Sequence, residues 1–346
     1  MSRSRIVIAG GGLAGHRIAY ALQHQADVTV IDPKDYFEVP MAAPRMLVEP
    51  SRSAQAIIPL GDFLPGVRHL RSRALSVQPD RVTTSEGDVS FDYLVLATGS
   101  AYKDDLLKPH KGDTATRREH YRIRAAELRE AKRILIVGGG PVGVELAGEI
   151  VQDYPDKRLT LIHSEGVLLP SLTPGPQRYA LDFLRRRNVE VHLNRRATPA
   201  DTADADMTIW CTGYRIDTSY LEGFAGDVRT PDGHLKVDEH LRLAGTSHIF
   251  VAGDITALPE PKLGIWAGKH AAVVIRNLRC LLRGKGRPAI YRPATGNRMM
   301  LVTLGRNHGT GHLPFGDFSN AWLARTLKSR DMFIGRYRKG VGLTAN

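Results

Sequence analysis

The sequence has 346 residues, of which 42% are hydrophobic and 24% are charged, and its formal net charge is +12. These values are typical of a soluble globular protein of two or three domains, and no uninterrupted apolar run approaches the roughly 18 residues that span a bilayer. The basic balance favours an anionic partner, such as nucleic acid, an anionic membrane or an acidic protein.

The N-terminus runs directly from Met1–Arg5 into an apolar segment. This leaves no room for a signal peptide, and Ser2 stands where the myristoylation motif requires glycine. We therefore expect a cytoplasmic protein.

A glycine-rich turn follows the first apolar segment. Residues 6–9 form a continuous apolar run, which is typical of a buried parallel strand. Glycines after such a strand permit a tight turn and let the backbone approach a pyrophosphate, which the next helix attracts with its N-terminal N–H groups. A second strand over residues 28–31 ends in a carboxylate that can bond ribose hydroxyls. The predicted dinucleotide-binding residues are Gly10, Gly12, Leu13, Ala14, Gly15 and Asp32.

Two later strands favour FAD as the dinucleotide in this first site. The strand over residues 92–96 ends in Ala-Thr-Gly, and the strand over residues 248–252 ends in Gly-Asp. The glycine lets a ribityl chain approach, and the carboxylate can bond its hydroxyls. These strands add Ala97, Thr98, Gly99, Gly253 and Asp254 to the predicted FAD site.

Three other residues are candidate FAD contacts. Arg45 follows the acid-bearing strand, and it either contacts FAD or is an ordinary surface arginine. Pro261 and Lys262 precede a helical run over residues 265–282, whose N-terminal N–H groups can bond a flavin carbonyl. We expect Pro261 and Lys262 to meet the pyrimidine edge of the flavin.

A second glycine fingerprint begins 128 residues after the first. The strand over residues 134–137 precedes it, and its own second strand ends at His163 rather than at an acid. A neutral histidine neither requires a 2′-hydroxyl nor repels a 2′-phosphate, so the site is expected to take NADH or NADPH without sharp preference. The predicted residues are Gly138, Gly140, Pro141, Val142, Gly143, Glu145, His163, Thr212 and Gly213.

Glu145 lies in the first turn of the helix that follows this second fingerprint. There it can bond the nicotinamide amide or steer protons near flavin N5. The alternative is an acid favoured only by the helix N-terminus.

The order of these motifs predicts an α/β fold with two Rossmann-like dinucleotide-binding domains, of the glutathione-reductase-like FAD/NAD(P) type, plus a small C-terminal region. The expected FAD domain comprises residues 1–104 and 217–290. The NAD(P)H domain, residues 105–216, is inserted between them, and residues 291–346 form the C-terminal region. The 13 histidines show no metal-ligand spacing, so no metal site is predicted.

The chain has two cysteines, Cys211 and Cys280, without dithiol spacing. Both are most simply core residues. Electrons are therefore expected to leave the flavin directly for a diffusible acceptor.

The C-terminal region carries nine Lys or Arg and two Asp or Glu. Residues 320–328 have the pattern of a short amphipathic helix, and Phe333, Ile334 and Tyr337 alternate with cations. Apolar bodies with cationic rims suit an anionic lipid surface. The alternative is a docked segment with ordinary surface charge.

Several segments resemble known flavin reductases. Residues 144–149, Val-Glu-Leu-Ala-Gly-Glu, are similar to the superfamily that includes type II NADH:quinone dehydrogenases and ferredoxin reductases. Residues 154–157 and 159–164, together with 304–309 and 327–333, resemble the apoptosis-inducing-factor-like ferroptosis suppressor protein family. The first helix departs from that family, because His16-Arg17 stand where relatives have small apolar residues. We expect both to lie on the helix surface.

This resemblance implies NAD(P)H-dependent reduction of a quinone, of ubiquinone or menaquinone type, by FAD at a membrane surface. It also implies that Lys328 lies near the flavin, where a cation would stabilise the anionic reduced flavin or a quinol oxyanion. Glu145 and Lys328 are the candidate catalytic residues. A solvated lysine in a basic tail is the alternative for Lys328.

Two other functions are open. One is a reductase of a small electron-transfer protein, such as ferredoxin or rubredoxin. The other is a basic nucleic-acid-binding flavoprotein with a regulatory redox site, which the charge permits but no recognition module supports. The protein is expected to be a monomer or a homodimer that is cytoplasmic or peripheral at a membrane.

Overall fold

The structure is a computed structural model that describes residues 3–109, 112–295 and 299–345, so Ser2 and the expectation that rests on it lie outside the described residues. The strands are β1 (Arg5–Ala9), β2 (Asp27–Ile31), β3 (Tyr36–Glu38), β4 (Ile57–Pro59), β5 (Arg68–Leu70), β6 (Ala74–Val77), β7 (Arg81–Thr84), β8 (Gly87–Ser90), β9 (Tyr93–Leu96), β10 (Ala101–Tyr102), β11 (Arg133–Val137), β12 (Arg158–Ile162), β13 (Glu190–His192), β14 (Met207–Trp210), β15 (Tyr214–Arg215), β16 (Ile249–Val251), β17 (Met300–Thr303), β18 (Gly309–Leu313) and β19 (Gly316–Ser319). The α-helices are α1 (Gly15–Leu22), α2 (Ala43–Val48), α3 (Ser53–Ala56), α4 (Thr114–Glu130), α5 (Pro141–Asp153), α6 (Pro174–Arg185), α7 (Pro199–Asp204), α8 (Gly264–Arg283), α9 (Ala321–Ala324) and α10 (Ile334–Gly340). A π-helical turn spans Arg325–Ser329.

Two parallel sheets repeat one arrangement. The first has the order β16-β9-β1-β2-β5, and the second has the order β13-β12-β11-β14. In both, the strand before the glycines lies between two parallel neighbours and pairs with the next strand from its first residue onward. Continuous apolar sequences form these strands because both faces of each sheet are covered. The predicted α/β fold with two dinucleotide-binding sheets is confirmed.

A two-stranded bridge joins the two sheets. β10 and β15 pair antiparallel, with Ala101 opposite Arg215, and they lie at the two edges of the proposed nicotinamide domain. The chain therefore leaves the first sheet and returns to it at one place. The carboxyl ends of the strands in an open α/β sheet form the crevice in which ligands bind.

The C-terminal region is an antiparallel sheet, β17-β18-β19, followed by short helices. It packs on α5 and α6 of the second domain. At the contact, a Cβ on Gly148 would lie 2.7 Å from Leu304 Cα, so a side chain there would push the two elements apart. Among the described residues, no helix has the length and apolar character needed to cross a membrane.

The C-terminal helices differ from expectation in detail. Residues 321–329 are helical, as predicted, but α9 ends at Ala324 and the remainder is a π-helical turn. The side chains assigned to a lipid surface mostly face the protein: Ile334 is buried, and the ring of Tyr337 lies 5.7 Å from that of Phe37. Ile334 and Tyr337 are thus docked on the protein, whereas Trp322 is 72% exposed, and contact of this region with a membrane stays a prediction.

The first helix also differs from expectation at one position. Arg17 is exposed as predicted, but His16 is buried and stacks on Phe37 with ring centroids 3.8 Å apart. His16 Nδ1 lies 2.7 Å from the carbonyl oxygen of Gly12, and burial lowers the pKa of this imidazole to about 4. His16 is therefore a neutral part of the wall behind the first glycine turn.

Candidate functional site

A cavity with about 800 Å³ of empty volume opens at the carboxyl ends of the strands of the first sheet. Its lining includes most of the predicted FAD contacts, brought together from four separate segments. These are Gly12, Leu13, Ala14, Asp32, Ala97, Thr98, Gly99, Gly253 and Asp254.

The glycines of the first fingerprint have different roles. Gly10 has a positive φ, and a Cβ there would lie 2.3 Å from the oxygen of Ala97. A Cβ on Gly15 would lie 1.8 Å from the oxygen of Gly10, so helix and strand pack too closely for a side chain. A Cβ on Gly12, by contrast, would meet nothing within 4 Å. The space beside Gly12 is therefore open, as a close approach of a pyrophosphate to this turn would require.

Asp32 is oriented by the backbone on both sides of it. The N–H of Gly11 donates to its Oδ2 at 2.7 Å, and the N–H of Lys34 donates to its Oδ1 at 2.8 Å. The Lys34 ammonium lies 3.3 Å from the same carboxylate. This arrangement fixes an acceptor at the end of β2, where a ribose would lie.

Asp254 lies in a network that sequence patterns do not reveal. Ser100 Oγ donates to its Oδ2 at 2.6 Å, and Lys108 Nζ donates to the same oxygen at 3.0 Å. Burial favours a raised pKa for the Asp254 carboxyl, but Lys108 and Ser100 hold that pKa below its usual value. Asp254 is therefore an ionised acceptor suited to ribityl hydroxyls.

Pro261 and Lys262 do not line the cavity. Lys262 Nζ donates to the carbonyl oxygens of Thr256 and Leu258, and burial lowers the pKa of its ammonium. The Lys262 side chain therefore closes its own loop, and the contact of this segment with the flavin edge stays a prediction.

A series of buried hydrogen bonds supports the Gly253 turn. The Gly253 N–H donates to His270 Nδ1 at 3.1 Å, so His270 carries its proton on Nε2 and donates it to Glu260 at 2.7 Å. Tyr291 OH donates to the other oxygen of Glu260, also at 2.7 Å. These hydrogen bonds connect the loop that carries Asp254 to α8 and to the start of the C-terminal region.

The second fingerprint repeats the geometry of the first. Gly138 has a positive φ, and a Cβ there would lie 2.9 Å from the oxygen of Cys211. A Cβ on Gly143 would lie 1.9 Å from the oxygen of Gly138, whereas a Cβ on Gly140 would meet nothing within 4 Å. The second turn thus has the same open space beside its central glycine. His163, at the end of β12, is buried with its Nε2 unpartnered, and burial lowers its pKa.

The two candidate catalytic residues form a buried ion pair. Lys328 Nζ donates to Glu145 Oε1, and it also donates to the carbonyl oxygen of Leu301 at 3.2 Å. The N–H of Thr303 donates to the same Glu145 oxygen at 2.9 Å. Lys328 is 6% exposed, so it is not a solvated lysine in a basic tail.

Arg45 has a different place from both sequence-based alternatives. It is buried rather than on the surface, and it does not line the cavity of the first sheet. Its guanidinium donates to both carboxylate oxygens of Glu149 at 2.6 and 2.8 Å, and to the carbonyl oxygen of Ser329 at 3.1 Å. Arg45 therefore connects α2, α5 and the π-helical turn.

Sequence patterns missed several residues of the site. The cavity lining also includes Lys34, Tyr36, Phe37, Glu38, Ser100 and Lys108. Glu38 is held in place by Arg117, which donates to both of its oxygens at 2.7 and 2.9 Å. Residues 36–39, Tyr-Phe-Glu-Val, are rich in residue types favoured in strands, which indicates a strand but not its position.

Substituting the central glycine of one fingerprint is expected to weaken binding of one cofactor and leave binding of the other unchanged. Gly12→Ala adds a methyl group in open space, so the protein should fold, but FAD retention after desalting should fall at least about tenfold because the pyrophosphate loses its close approach. Gly140→Ala is the matched control. It should retain FAD and raise the KM for NAD(P)H. Flavin absorbance and steady-state kinetics measure both, and equal FAD retention in the two variants would contradict the assignment.

The sequence profile of the pyridine nucleotide-disulphide oxidoreductases matches residues 4–275. Ferroptosis suppressor protein 1 from Xenopus tropicalis is 31% identical over 368 residues, covering 98% of this chain and 96% of that protein. Two solved structures share the fold. The sulfide:quinone oxidoreductase from Aquifex aeolicus has a TM-score of 0.78 at 19% identity, covering 99% of this chain and 93% of that one. NDH2 from Plasmodium falciparum, in complex with NADH, has a TM-score of 0.76 at 15% identity, covering 96% of both chains.

Proposed function

The chain belongs to the pyridine nucleotide-disulphide oxidoreductase family and, within it, to the relatives of ferroptosis suppressor protein 1. From this membership we propose that it is an FAD-dependent NAD(P)H:quinone oxidoreductase. The observation that carries this proposal is the pair of glycine turns, each with open space beside its central glycine. A protein with two dinucleotide sites is suited to passing reducing equivalents from one to the other.

Bound FAD would accept a hydride from NAD(P)H and pass two electrons to a quinone. In this proposal the Gly12 turn and Asp32 hold the adenine-dinucleotide half, and Asp254 accepts hydrogen bonds from the ribityl hydroxyls. Lys108 and Ser100 keep Asp254 ionised and oriented. The Gly140 turn, Thr212 and Gly213 would hold the nicotinamide dinucleotide.

The Glu145–Lys328 pair supplies the electrostatics of the proposed reaction. Lys328 is a fixed, buried cation, so it needs no reorganisation when negative charge develops beside it. Thr303 and Lys328 together fix one oxygen of Glu145, which leaves the second oxygen to orient a ligand amide. Both residues would act by position and charge rather than by covalent chemistry.

No thiol intermediate is needed in this proposal. Cys211 and Cys280 are both free, and burial raises the pKa of the Cys211 thiol well above its usual value. A buried, protonated thiol is a poor nucleophile. This favours direct transfer to a diffusible acceptor, as expected from the sequence, rather than to a dithiol.

Stopped-flow flavin spectroscopy tests the proposal. Anaerobic enzyme reduced with NADH or NADPH should regain its yellow colour at once on addition of a short-tailed ubiquinone or menaquinone. Faster reoxidation by ferredoxin or rubredoxin than by any quinone would assign the acceptor to a small protein instead. Failure of every quinone to exceed the rate with oxygen would reject the quinone reductase.

Substituting His163 should create a preference between the two nicotinamide cofactors. His163→Asp places a carboxylate at the end of β12, where it can bond a 2′-hydroxyl and repel a 2′-phosphate. The KM for NADPH should rise at least about tenfold, and the KM for NADH should change little. His163→Asn is the control of similar size without charge. An equal change of the NADH-to-NADPH ratio in both variants would show that charge is not responsible.

A further inference from the structure

Gly253 marks the point where the chain leaves the first sheet. The N–H of Ala252 still donates to the carbonyl oxygen of Leu96 on the neighbouring strand. Gly253 then takes a φ of +83° and turns the chain away, so its own N–H bonds outside the ladder. A backbone N–H that is shielded from water needs a partner, because an unpaired donor costs free energy. His270 Nδ1 on α8 is that partner, at 3.1 Å.

Glu260 determines which nitrogen of His270 accepts. A neutral imidazole has one donor and one acceptor nitrogen, and the partner of one nitrogen decides the role of the other. The Glu260 carboxylate accepts from His270 Nε2 at 2.7 Å, and it also accepts from the Tyr291 hydroxyl at 2.7 Å and from the Ala294 N–H at 3.2 Å. Burial favours a raised pKa for the Glu260 carboxyl, but His270 and Tyr291 hold that pKa below its usual value. An ionised Glu260 therefore keeps the imidazole proton on Nε2 and leaves Nδ1 as the acceptor for Gly253.

Packing holds the imidazole in this orientation. The side chains of His270 and Glu260 are 2% and 1% exposed. The ring of Tyr291 packs edge-on against that of His270, with centroids 4.5 Å apart. Asn277, two turns further along α8, bonds both the carbonyl oxygen and the N–H of Ala289, at 3.1 and 2.6 Å, and so holds the segment that leads to Tyr291. The imidazole therefore cannot turn without breaking several of these contacts.

We propose that His270 is a positioning residue for the ribityl half of FAD, and that it acts through the Gly253 N–H on Asp254. This inference rests on the FAD site of the proposed function. Of the described residues, Gly253 and Asp254 line the cavity, whereas His270 and Glu260 do not. The imidazole therefore acts on the cofactor only through the peptide that carries Asp254. Asp254 is held from two sides, because Lys108 bonds its carboxylate at 3.0 Å and His270 fixes its backbone.

Two substitutions of His270 separate its two hydrogen bonds. His270→Asn places an amide oxygen near the position of Nδ1, so the Gly253 N–H keeps an acceptor while Glu260 loses the imidazole donor. His270→Gln places an amide nitrogen near the position of Nε2, so Glu260 keeps a donor while the Gly253 N–H loses its acceptor. Both replacements are neutral and polar, and each is therefore the matched control of the other.

FAD affinity and thermal stability should respond to different variants. His270→Gln should raise the Kd for FAD about tenfold, because the turn that carries Asp254 loses a hydrogen bond that fixes it. His270→Asn should keep the Kd within about threefold of the wild-type value, yet it should lower the melting temperature more, because hydrogen bonds to a charged group contribute more to stability than those between neutral groups. Calorimetric titration of the full-length apo-protein with FAD measures the Kd, and scanning calorimetry of the same samples measures the melting temperature.

Titration with ADP locates the effect within the cavity. ADP carries the adenine and diphosphate of FAD but no ribityl chain, so in the proposed function it meets Asp32 and the Gly12 turn and not Asp254. His270→Gln should therefore bind ADP as the wild type does, and the visible circular dichroism of its bound FAD should differ from that of the wild type. A loss of ADP affinity as large as the loss of FAD affinity would show general damage to the cavity and would overturn the positioning role.

The remaining outcomes separate this inference from the proposed reaction. A Kd for FAD that follows the melting temperature in both variants would show that His270 only supports the fold, and an unchanged Kd in His270→Gln would also overturn the inference. None of these measurements needs a quinone. If the two variants differ as expected but the wild type reduces no quinone, the quinone reductase is rejected and the positioning role stands. Failure of the wild type to bind FAD would overturn both.

Discussion

Lys328→Met is expected to lower kcat for quinone reduction about 100-fold and to lower the midpoint potential of the bound flavin. The reason is that a fixed, desolvated cation stabilises the negative charge that develops on reduction, and loss of one such group typically costs 10²–10³ in rate. Methionine has nearly the length of lysine and fills the same buried space. Stopped-flow measurement of the two half-reactions, with a potential titration, measures both effects.

A double variant separates this electrostatic role from a structural one. Lys328→Met alone leaves the buried Glu145 carboxylate without its cation, which is itself destabilising. Adding Glu145→Gln removes that unpaired charge and should restore most of the thermal stability, while Thr303 can still donate to the amide oxygen. The rate and the potential should stay low. Recovery of the rate together with stability would show that Lys328 only supports the fold.

The sequence was informative where local sterics determine the structure. A Cβ on Gly10 or Gly15 would lie 2.3 Å or less from a backbone oxygen, so glycine spacing alone locates the turn, the strand before it and the helix after it. The position of Asp32 was predictable for a similar reason, since parallel strands in register bring their carboxyl ends to one edge of the sheet. Both dinucleotide sheets were predictable for this reason.

The sequence was uninformative where partners are far apart in the chain. Arg45 and Glu149 are 104 residues apart, and Lys108 and Asp254 are 146 apart. No periodicity relates such pairs, so nothing marked Arg45 as buried or Lys108 as part of the site. His16 was misjudged for a related reason: its helix position looks solvent-facing until Phe37 from β3 covers it.

The C-terminal region shows both what the sequence could predict and what it could not. Its resemblance to the ferroptosis suppressor family implied a place near the flavin for Lys328, and the structure brings Lys328 to Glu145. The pattern of residues 320–337, however, could not show which apolar side chains are docked. Burial of Ile334 and exposure of Trp322 depend on the shape of the surface beneath them rather than on spacing.

Arg45→Met is expected to lower the free energy of unfolding by about 3–5 kcal/mol, the usual cost of leaving one member of a buried ion pair unpaired. Burial already raises the pKa of the Glu149 carboxyl, and Arg45 opposes that rise. Without Arg45 the carboxyl must either stay charged in the interior or take up a proton. Urea unfolding followed by flavin fluorescence and far-ultraviolet circular dichroism measures the loss.

Two control variants test whether the loss of stability comes from the unpaired buried charge. Arg5→Met breaks the solvent-exposed Arg5–Asp92 pair and should lower the free energy of unfolding far less than Arg45→Met does, because exposed ion pairs contribute little. Arg45→Met with Glu149→Met removes both buried charges and should regain most of the stability, since apolar replacement of a whole buried pair is often neutral. Because Arg45 also bonds Ser329, next to Lys328, the double variant should still lose activity through a displaced Lys328. Full activity in the double variant would show that Arg45 does not position the π-helical turn.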